Sequence, residues 1–383
     1  MLDETPYDVA LVGGGLGGLA LSIQLSRAGF NVALFEKEKY PFHKVCGEYL
    51  SFENWNFLEE LGLPISDLIG DWDLPVIRKL IVSSPGGRKF ETDLPLGGFG
   101  ISRFKLDSAL AEIAISAGVR LFEENKVSDL QYENNLFKIQ TANFDCLARQ
   151  ACGSFGKKSN LDVKWKREFI MKKGKKLNHY VAIKYHVKVD YPAQCIGLHN
   201  FENGYCGISA IEDGEHCLCY MTTAENLTAC GNSVSELEKR ILCRNPFLKE
   251  IFSSATSVFE KPLAISQISF EKKSVFENHS LLVGDAAGVI PPLSGNGMSM
   301  ALHGSKIAFR HIKSFLEGKT DRTEMENAYE KDWQMNFGRR MAAGRILQKF
   351  FGSPLLSDLL ILSIKPFPKF VSYLIRQTHG APY

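Results

Sequence analysis

The clearest chemical pattern in the sequence is a glycine-rich run, GGGLGG at positions 13–18, which fits the spacing G-x-G-x-x-G. In a turn between a strand and a helix, Gly13 would allow the tight bend and Gly15 would let a diphosphate approach the backbone. Gly18 would let the helix pack closely against the strand. Because the free N–H groups at the start of such a helix bind phosphate, the pattern predicts a dinucleotide-binding turn.

A carboxylate follows at the expected distance, since Glu36 stands eighteen residues after Gly18. In dinucleotide-binding units, an acidic residue at this spacing accepts hydrogen bonds from the adenosine ribose. The flanking elements agree, because residues 8–12 and 31–36 are short apolar runs and the segment between them is apolar at helical spacing up to Gly29. This unit alone leaves NAD and FAD open, so an NAD-linked dehydrogenase without flavin remains an alternative.

A second glycine-containing segment lies far along the chain, LVGDAAG at residues 282–288, followed by PPLSGNGM at 291–298. It resembles the second flavin fingerprint of a superfamily that includes geranylgeranyl reductases, para-hydroxybenzoate hydroxylase-type monooxygenases and flavin-dependent halogenases. The resemblance implies FAD, with Asp285 holding the ribityl chain. A helix beginning at Gly297 would place its positive end beneath the flavin and stabilise the negative charge of the reduced ring.

Two further segments are similar to the same superfamily. The start of a predicted helix at Arg103 implies an arginine near the cofactor, and the HKVCGEYLS run at 43–51 looks like the loop that lies beside the isoalloxazine ring. Cys46 is therefore a candidate catalytic group, although a single cysteine is also a common small apolar core residue. The complete predicted cofactor-binding set is Gly13, Gly15, Leu16, Gly17, Gly18, Glu36, Lys37, Lys44, Cys46, Gly47, Arg103, Gly284, Asp285, Pro292, Gly295, Asn296, Gly297 and Met298.

The middle of the chain predicts a β-rich insert, because residues 161–270 contain short runs of Val, Ile, Tyr and Cys with period-two character. Its turn around Tyr205 resembles the point at which the superfamily's substrate sheet meets the flavin, so Tyr205 is a candidate substrate residue. Packing of the strand core would explain the same residues. The insert's aromatic and aliphatic residues favour a small apolar or aromatic substrate.

The fold class predicted is α/β. We expect a Rossmann-like FAD-binding domain of the glutathione reductase type with three layers, an inserted β-rich substrate domain and a C-terminal helical segment. The predicted ranges are 1–62, 98–160 and 271–335 for the FAD-binding domain, 63–97 and 161–270 for the substrate domain, and 336–383 for the helical segment.

The sequence departs from two branches of the superfamily. Phe155 stands where the hydroxylases carry an Asp that contacts flavin and NADPH, which argues against a hydroxylase-type contact with NADPH. NAD(P)H stays a candidate electron donor, and the departure also admits another donor. No Trp has a second Trp two residues away, which argues against the halogenase motif. Two reactions remain: hydride transfer to an alkene, or oxygenation through oxygen bound at flavin C4a. A flavin-binding protein without turnover is the third alternative.

Composition excludes other classes. Forty-five Lys and Arg against forty-three Asp and Glu give a formal charge of +2, which offers no field for nucleic acid. Nine cysteines without ligand-like spacing predict no metal site and a reducing, cytoplasmic location. No apolar run is long enough to predict a transmembrane span. Residues 339–369 mix basic and apolar side chains, which predicts either a domain cap or a peripheral membrane contact.

Overall fold

The fold is that of a computed structural model, which describes residues 5–171, 180–291, 295–350, 353–364, 371, 375 and 380–383. Within these residues the strands form two separate sheets, one of eight strands and one of nine. The eight-stranded sheet carries the N-terminal glycine turn, and the nine-stranded sheet contains the strands of the β-rich insert.

The strands of the first sheet are β1 Tyr7–Val12, β2 Val32–Phe35, β6 Arg120–Phe122, β7 Asp129–Glu133, β8 Leu136–Gln140, β9 Asp145–Gly153, β16 Phe276–Glu277 and β17 Ser280–Leu282. The sheet is parallel at its centre, where the order is β17-β9-β1-β2-β6. The antiparallel strands β7 and β8 continue from β9, and β16 lies at the edge beside β17.

The register of this sheet brings distant parts of the chain to one edge. Gly153 in β9 lies opposite Val12 on one side and opposite Leu282 on the other. The carboxyl ends of β1, β9 and β17 therefore meet, and ligands of open parallel sheets bind at such an edge.

Helices cover one face of the first sheet, and the antiparallel strands cover the other. Leu19, Leu110 and Ile307 from three helices are buried in one apolar cluster, whereas Phe35, Phe137 and Leu161 belong to the cluster on the opposite face. The helices of this part are α1 Leu16–Arg27, α2 Trp55–Glu60, α3 Ile65–Asp71, α4 Arg103–Ser116, α5 Asn160–Lys164, α10 Gly297–Leu316 and α11 Arg322–Phe350. The result is the predicted three-layer arrangement.

The second sheet is mostly antiparallel, with β4 and β11 as a parallel pair. Its strands are β3 Tyr49–Ser51, β4 Val76–Ser83, β5 Lys89–Gly100, β10 Tyr180–Lys188, β11 Cys195–Phe201, β12 Gly204–Ala210, β13 His216–Thr223, β14 Thr256–Ser257 and β15 Leu263–Ile268. The helices between these strands are α6 Glu168–Met171, α7 Ala224–Ala229, α8 Val234–Arg240 and α9 Pro246–Ser254.

The two faces of the second sheet have different partners. On one face Ile183 and Ile208 are buried with Leu237 of α8 and Leu248 of α9. On the other face, side chains of the sheet form a second cluster with Val289, which follows the distant glycine segment, and with Ile361. This second face is the one that approaches the candidate site.

Three elements cross the divisions drawn from the sequence. Strand β3 and residues 98–100 of β5 belong to the second sheet, although both lie in ranges assigned to the FAD-binding domain. A three-residue edge strand has too few positions to show a period-two pattern. Helix α11 also runs through residue 336 without a break, so the domain bounds stay a prediction.

The C-terminal part contains α12, Pro354–Ile364. Across the described helices, none has both the length and the apolar character to cross a bilayer. Ile346, Leu359 and Leu362 are exposed large apolar residues. The peripheral membrane contact predicted for residues 339–369 stays a prediction, and many of its side chains lie outside the described residues.

Candidate functional site

The N-terminal glycine turn has the conformation that its sequence predicts. Gly13 has a φ of +107°, and its N–H donates to the Phe35 carbonyl at 2.8 Å. A Cβ added at Gly13 would lie 2.6 Å from the Ser154 carbonyl oxygen. At Gly15 the nearest atoms to an added Cβ would be that oxygen at 3.8 Å and Arg103 Nη2 at 3.9 Å. The backbone of Gly15 thus faces space beside a guanidinium, which suits a diphosphate.

Glu36 closes the turn from the second strand. Its buried carboxylate accepts hydrogen bonds from the N–H groups of Gly14 at 2.9 Å, Lys37 at 2.8 Å and Glu38 at 3.1 Å. An ionised carboxylate accepts about four hydrogen bonds, so one position is left for a ribose hydroxyl. The side chain of Lys37 is exposed and pairs with Glu38, which leaves only its N–H facing this site.

The two glycine fingerprints lie against each other. A Cβ at Gly17 would come within 2.8 Å of Val283 Cγ1 and 3.3 Å of the Ala301 carbonyl, while Gly18 packs on the Gly13 carbonyl. Leu16 is buried at the start of α1. Because glycine removes the side chain at both contacts, α1 and the Val283 segment approach closely enough to share one ligand.

Two buried cationic side chains donate hydrogen bonds to backbone carbonyls of the Gly284–Ala286 turn. Lys273 Nζ donates to the Asp285 carbonyl at 2.8 Å, and Arg167 Nη1 donates to the Ala286 carbonyl at 3.0 Å. Arg167 also pairs with Asp162 at 2.7 Å. Gly284 has a φ of +64°, so the turn presents the Asp285 side chain from a fixed backbone. Sequence reasoning missed both cations because Arg167 lies near the start of the β-rich insert, Lys273 lies just after its end, and neither shows a local pattern.

Replacing Lys273 with methionine is expected to lower the free energy of unfolding by about 1–3 kcal/mol at pH 7, because the carbonyls of Asp285 and Lys157 lose their donor. Burial lowers the pKa of Lys273 to about 8. At pH values between the native pKa of Lys273 and the pKa of lysine in the unfolded chain, the unfolded chain binds a proton that the native protein has lost. The free energy of unfolding of the wild type therefore rises with pH in this range, and that of the variant, which has no amine at this position, does not. Urea unfolding at pH 7 and pH 10 measures the difference.

The matched control is Lys272→Met, which removes a neighbouring exposed lysine. Its stability should stay within about 0.5 kcal/mol of wild type. If the difference in free energy of unfolding between wild type and Lys273→Met stays constant from pH 7 to pH 10, the role assigned to the buried charge is wrong.

A second ionic group lies beside Gly15. Arg103 Nε and Nη2 each donate to the Asp107 carboxylate at 2.7 Å, and Lys44 Nζ lies 2.9 Å from the same carboxylate. Lys44 also donates to the Gly14 carbonyl at 3.2 Å. Burial alone would raise the pKa of Asp107, but the charges of Arg103 and Lys44 outweigh it and hold that pKa below its usual range. The i,i+4 spacing of Arg103 and Asp107 was a signal for this pair.

The predicted ring-side loop runs between the two sheets. The carbonyl of Cys46 accepts a hydrogen bond from Cys217 Sγ at 3.2 Å, and that of Gly47 accepts one from Ser209 Oγ at 3.0 Å. Cys46 is half-buried, and a Cβ at Gly47 would meet nothing within 4 Å. The loop is therefore tied to β12 and β13 through its carbonyls, with open space in front of Gly47.

The distant loop ends at the start of α10. Gly295 has a φ of +64° and lies against the Tyr49 ring, at 3.1 Å from an added Cβ. Asn296 and Met298 are buried, whereas a Cβ at Gly297 would meet nothing within 4 Å. The start of α10 therefore has open space beside Gly297, and the first N–H groups of a helix have no partner within the helix. Pro292, predicted for the same loop, lies outside the described residues.

Tyr205 and Phe155 are the last two residues that the sequence singled out, and the substrate role of Tyr205 stays a prediction. Tyr205 lies in the middle of the second sheet, is 7% exposed and packs in the cluster that contains Met221 and Val289. Burial raises its pKa well above the ordinary value. The backbone of Phe155 lies directly against Gly13, with its Cα 2.7 Å from an added Cβ.

Taken from one end to the other, these groups suit an extended dinucleotide carrying a planar ring. Glu36 offers an acceptor for a ribose, Gly15 and Arg103 offer donors for a diphosphate, and the Gly284 turn and the start of α10 lie further along the same edge. The open space at Gly47 and Gly297 is consistent with a ring between them. The donor set therefore fits FAD.

Comparison with known proteins supports this reading. Residues 11–64 match the family model of the NAD(P)-binding Rossmann-like domain. The chain is 25% identical, over 93% of its length, to conditioned medium factor receptor 1 of Dictyostelium discoideum, and the match covers 73% of that protein. It is 24% identical, over 86% of its length, to digeranylgeranylglycerophospholipid reductase of Methanococcus vannielii, of which 83% is covered.

Solved structures share the whole architecture. A flavin-dependent brominase superposes with a TM-score of 0.79 at 19% identity, over 98% of this chain and 93% of the brominase. A geranylgeranyl bacteriochlorophyll reductase-like protein from Thermoplasma acidophilum superposes with a TM-score of 0.77 at 20% identity, over 100% of this chain and 97% of that protein. The predicted fold class is confirmed.

Proposed function

We propose that this chain belongs to the superfamily of FAD-dependent geranylgeranyl reductase-like and halogenase-like proteins, and that it is an enzyme that reduces a carbon–carbon double bond of an apolar, isoprenoid-type molecule. FAD is its cofactor, and oxidoreductase is its class. The observation that carries the proposal is the contact of Gly17 with Val283 and Ala301, which joins the two halves of one flavin site.

The cofactor would be held by residues of this chain in three groups. Glu36 accepts from the ribose, Gly15 and Arg103 donate to the diphosphate, and Asp285 binds the ribityl chain. Lys44, Cys46 and Gly47 would lie along one side of the ring, with the N–H groups of residues 295–298 at its pyrimidine edge. Bound FAD supplies hydride transfer, which no side chain provides.

The reductase is favoured over the other branches by three observations. The chain matches a reductase from end to end, with more than four-fifths of each protein covered. The Trp pair of the halogenases is absent, and Phe155 replaces the Asp of the hydroxylases. Phe155 cannot donate or accept a hydrogen bond, which disfavours a hydroxylase-type contact with NADPH.

An apolar substrate is favoured by the second sheet. Its site-facing side chains, including Met221 and Ile268, form one apolar layer with Val289 beside the flavin loop. A cavity of about 400 Å³ opens at the edge of this layer, lined by residues 94–97, 375 and 380–382. Such a layer excludes water and binds a chain molecule through apolar contact, while the start of α10 stabilises negative charge.

The test is reoxidation of the reduced holoenzyme under anaerobic conditions. The purified protein, saturated with FAD and reduced with dithionite, is mixed with geranylgeraniol or with its fully saturated analogue. We expect the flavin absorbance to return with the alkene only, together with a product heavier by two hydrogens for each bond reduced. Mass spectrometry and the flavin spectrum measure both.

Each alternative has its own outcome. Reoxidation that needs air and yields an oxygenated product would make the protein a monooxygenase. A protein that keeps its flavin reduced with every alkene and is indifferent to added geranylgeraniol in air would be a flavin-binding protein without turnover. A purified protein that binds no flavin would overturn the proposal altogether.

A further inference from the structure

We infer that Glu48, Lys184 and His186 form a buried charge cluster that positions the ring-side loop and sets the reduction potential of the bound flavin. The inference rests on the proposed function, because it assumes that FAD lies beside residues 44–47. None of the three was among the cofactor-binding residues predicted from the sequence.

The geometry centres on the Glu48 carboxylate, which is fully buried. One oxygen, Oε1, accepts the N–H of Arg103 at 2.7 Å and the Lys184 ammonium at 2.5 Å. The other oxygen, Oε2, lies 2.7 Å from His186 Nε2. Three partners thus converge on one carboxylate. The two that are side chains, Lys184 and His186, both belong to strand β10 of the second sheet.

The cluster fixes the loop as well as the side chains. Lys184 Nζ donates to the Lys44 carbonyl at 3.1 Å, and the Glu48 carbonyl accepts from the Ile101 N–H at 3.0 Å. Glu48 itself has a φ of +54°, which an L-residue adopts only when its surroundings hold it there. Residues 44–48 are therefore held between the two sheets by this carboxylate.

Within the cluster, the negative charge of Glu48 is paired with the positive charge of Lys184. Burial would raise the pKa of Glu48, but the hydrogen bond from His186 and the charge of Lys184 outweigh it and hold that pKa below its usual range. At neutral pH a buried anion and a buried cation therefore lie side by side. Outward from them, Glu215 Oε2 lies 3.6 Å from His186 Nδ1, and the His43 ring lies 5.1 Å from the His186 ring.

Binding of a metal ion is the alternative explanation of why these residues lie together. Glu48, His186 and Cys217 offer ligand atoms within 4.8 Å of one another. However, the Lys184 ammonium already neutralises the carboxylate, and burial raises the pKa of the Cys217 thiol well above its usual range. A cation there would have to displace an ammonium and deprotonate a buried thiol, so the ion pair is the better account.

Opposite charges at one place give opposite effects on a neighbouring flavin. Reduction adds negative charge to the ring, so a nearby cation favours the reduced form and a nearby anion disfavours it. Lys184→Met removes the cation, and Glu48→Gln removes the anion while keeping the side-chain size. The first variant should therefore be harder to reduce and the second easier.

The experiment is a reduction titration of the FAD-loaded variants against a dye of known potential at pH 7. We expect Lys184→Met to shift the flavin midpoint to a more negative potential, Glu48→Gln to shift it to a more positive one, and the double variant to return towards wild type. Lys184→Arg keeps the charge and should leave the midpoint unchanged. Equal or same-sign shifts in the two single variants would overturn the inference.

Two controls keep the outcome interpretable. Glu215→Gln alters a partly exposed group at the edge of the cluster, so its midpoint should move in the same direction as that of Glu48→Gln, but less. If Lys184→Met does not fold, the Glu215→Gln and Lys184→Arg variants still test the inference. A flavin midpoint potential in Glu215→Gln equal to that of the wild type would count against the cluster. A wild-type protein that binds no FAD would instead refute the proposed function.

Discussion

Replacing Gly13 with alanine is expected to weaken FAD binding by about 10- to 100-fold, which corresponds to the strain of an L-residue in this backbone conformation. Gly13 has a φ of +107°, and the new Cβ would lie 2.6 Å from the Ser154 carbonyl and 2.7 Å from Phe155 Cα. Both contacts are backbone, so they cannot move aside without displacing the turn. Fluorescence titration of the apoprotein with FAD measures the loss.

The matched control is Gly29→Ala, at the end of the same α1 unit. Gly29 also has a positive φ, +89°, but a Cβ there would meet nothing within 4 Å. We expect this variant to lose about 1 kcal/mol of stability from backbone strain and to bind FAD as wild type does. Equal FAD affinities in the two variants would mean that the turn at Gly13 is not part of the cofactor site.

The contrast between these glycines shows what the sequence could predict. The strand, turn and helix around residue 13 are local, and their order alone predicts the turn, the packing at Gly18 and the carboxylate at Glu36. Joining the Gly284 segment to that turn required a family resemblance, because no local rule connects Gly13 with a residue 271 positions further along the chain. The geometry at Gly17 and Val283 now supplies the physical contact.

The groups that the sequence could not predict are those whose partners lie on other elements of the fold. Lys184 is one lysine in an alternating strand, and its burial becomes visible only when β10 is placed against the loop of Glu48. Lys273 likewise looks like its exposed neighbour Lys272. The period of a strand indicates which side chains share a face, but not which distant carboxylate or carbonyl that face will meet.

Asparagine in place of Asp107 is expected to lower the free energy of unfolding by about 3–5 kcal/mol, because it leaves the Arg103 and Lys44 charges without their buried partner. Asp107 is 1% exposed, so water cannot replace the lost carboxylate. The comparison is made with the FAD-loaded proteins by urea unfolding at pH 7. Asp213→Asn breaks an exposed pair with Lys105 and should change stability by less than about 0.5 kcal/mol.

The pH dependence distinguishes lost charge from lost packing in Asp107→Asn. The native pKa of Asp107 is held below its unfolded value of about 3.9, so its contribution is fully present above that pH and is lost as pH falls through the native pKa. The gap between wild type and variant should therefore narrow on acidification below about pH 4. Asparagine has nearly the shape of aspartate, so a gap due to packing would not depend on pH. A difference in free energy of unfolding that stays constant from pH 7 to pH 3 would thus exclude the ionic role of Asp107. Asp107 would then not be the ionic partner that positions Arg103 beside Gly15.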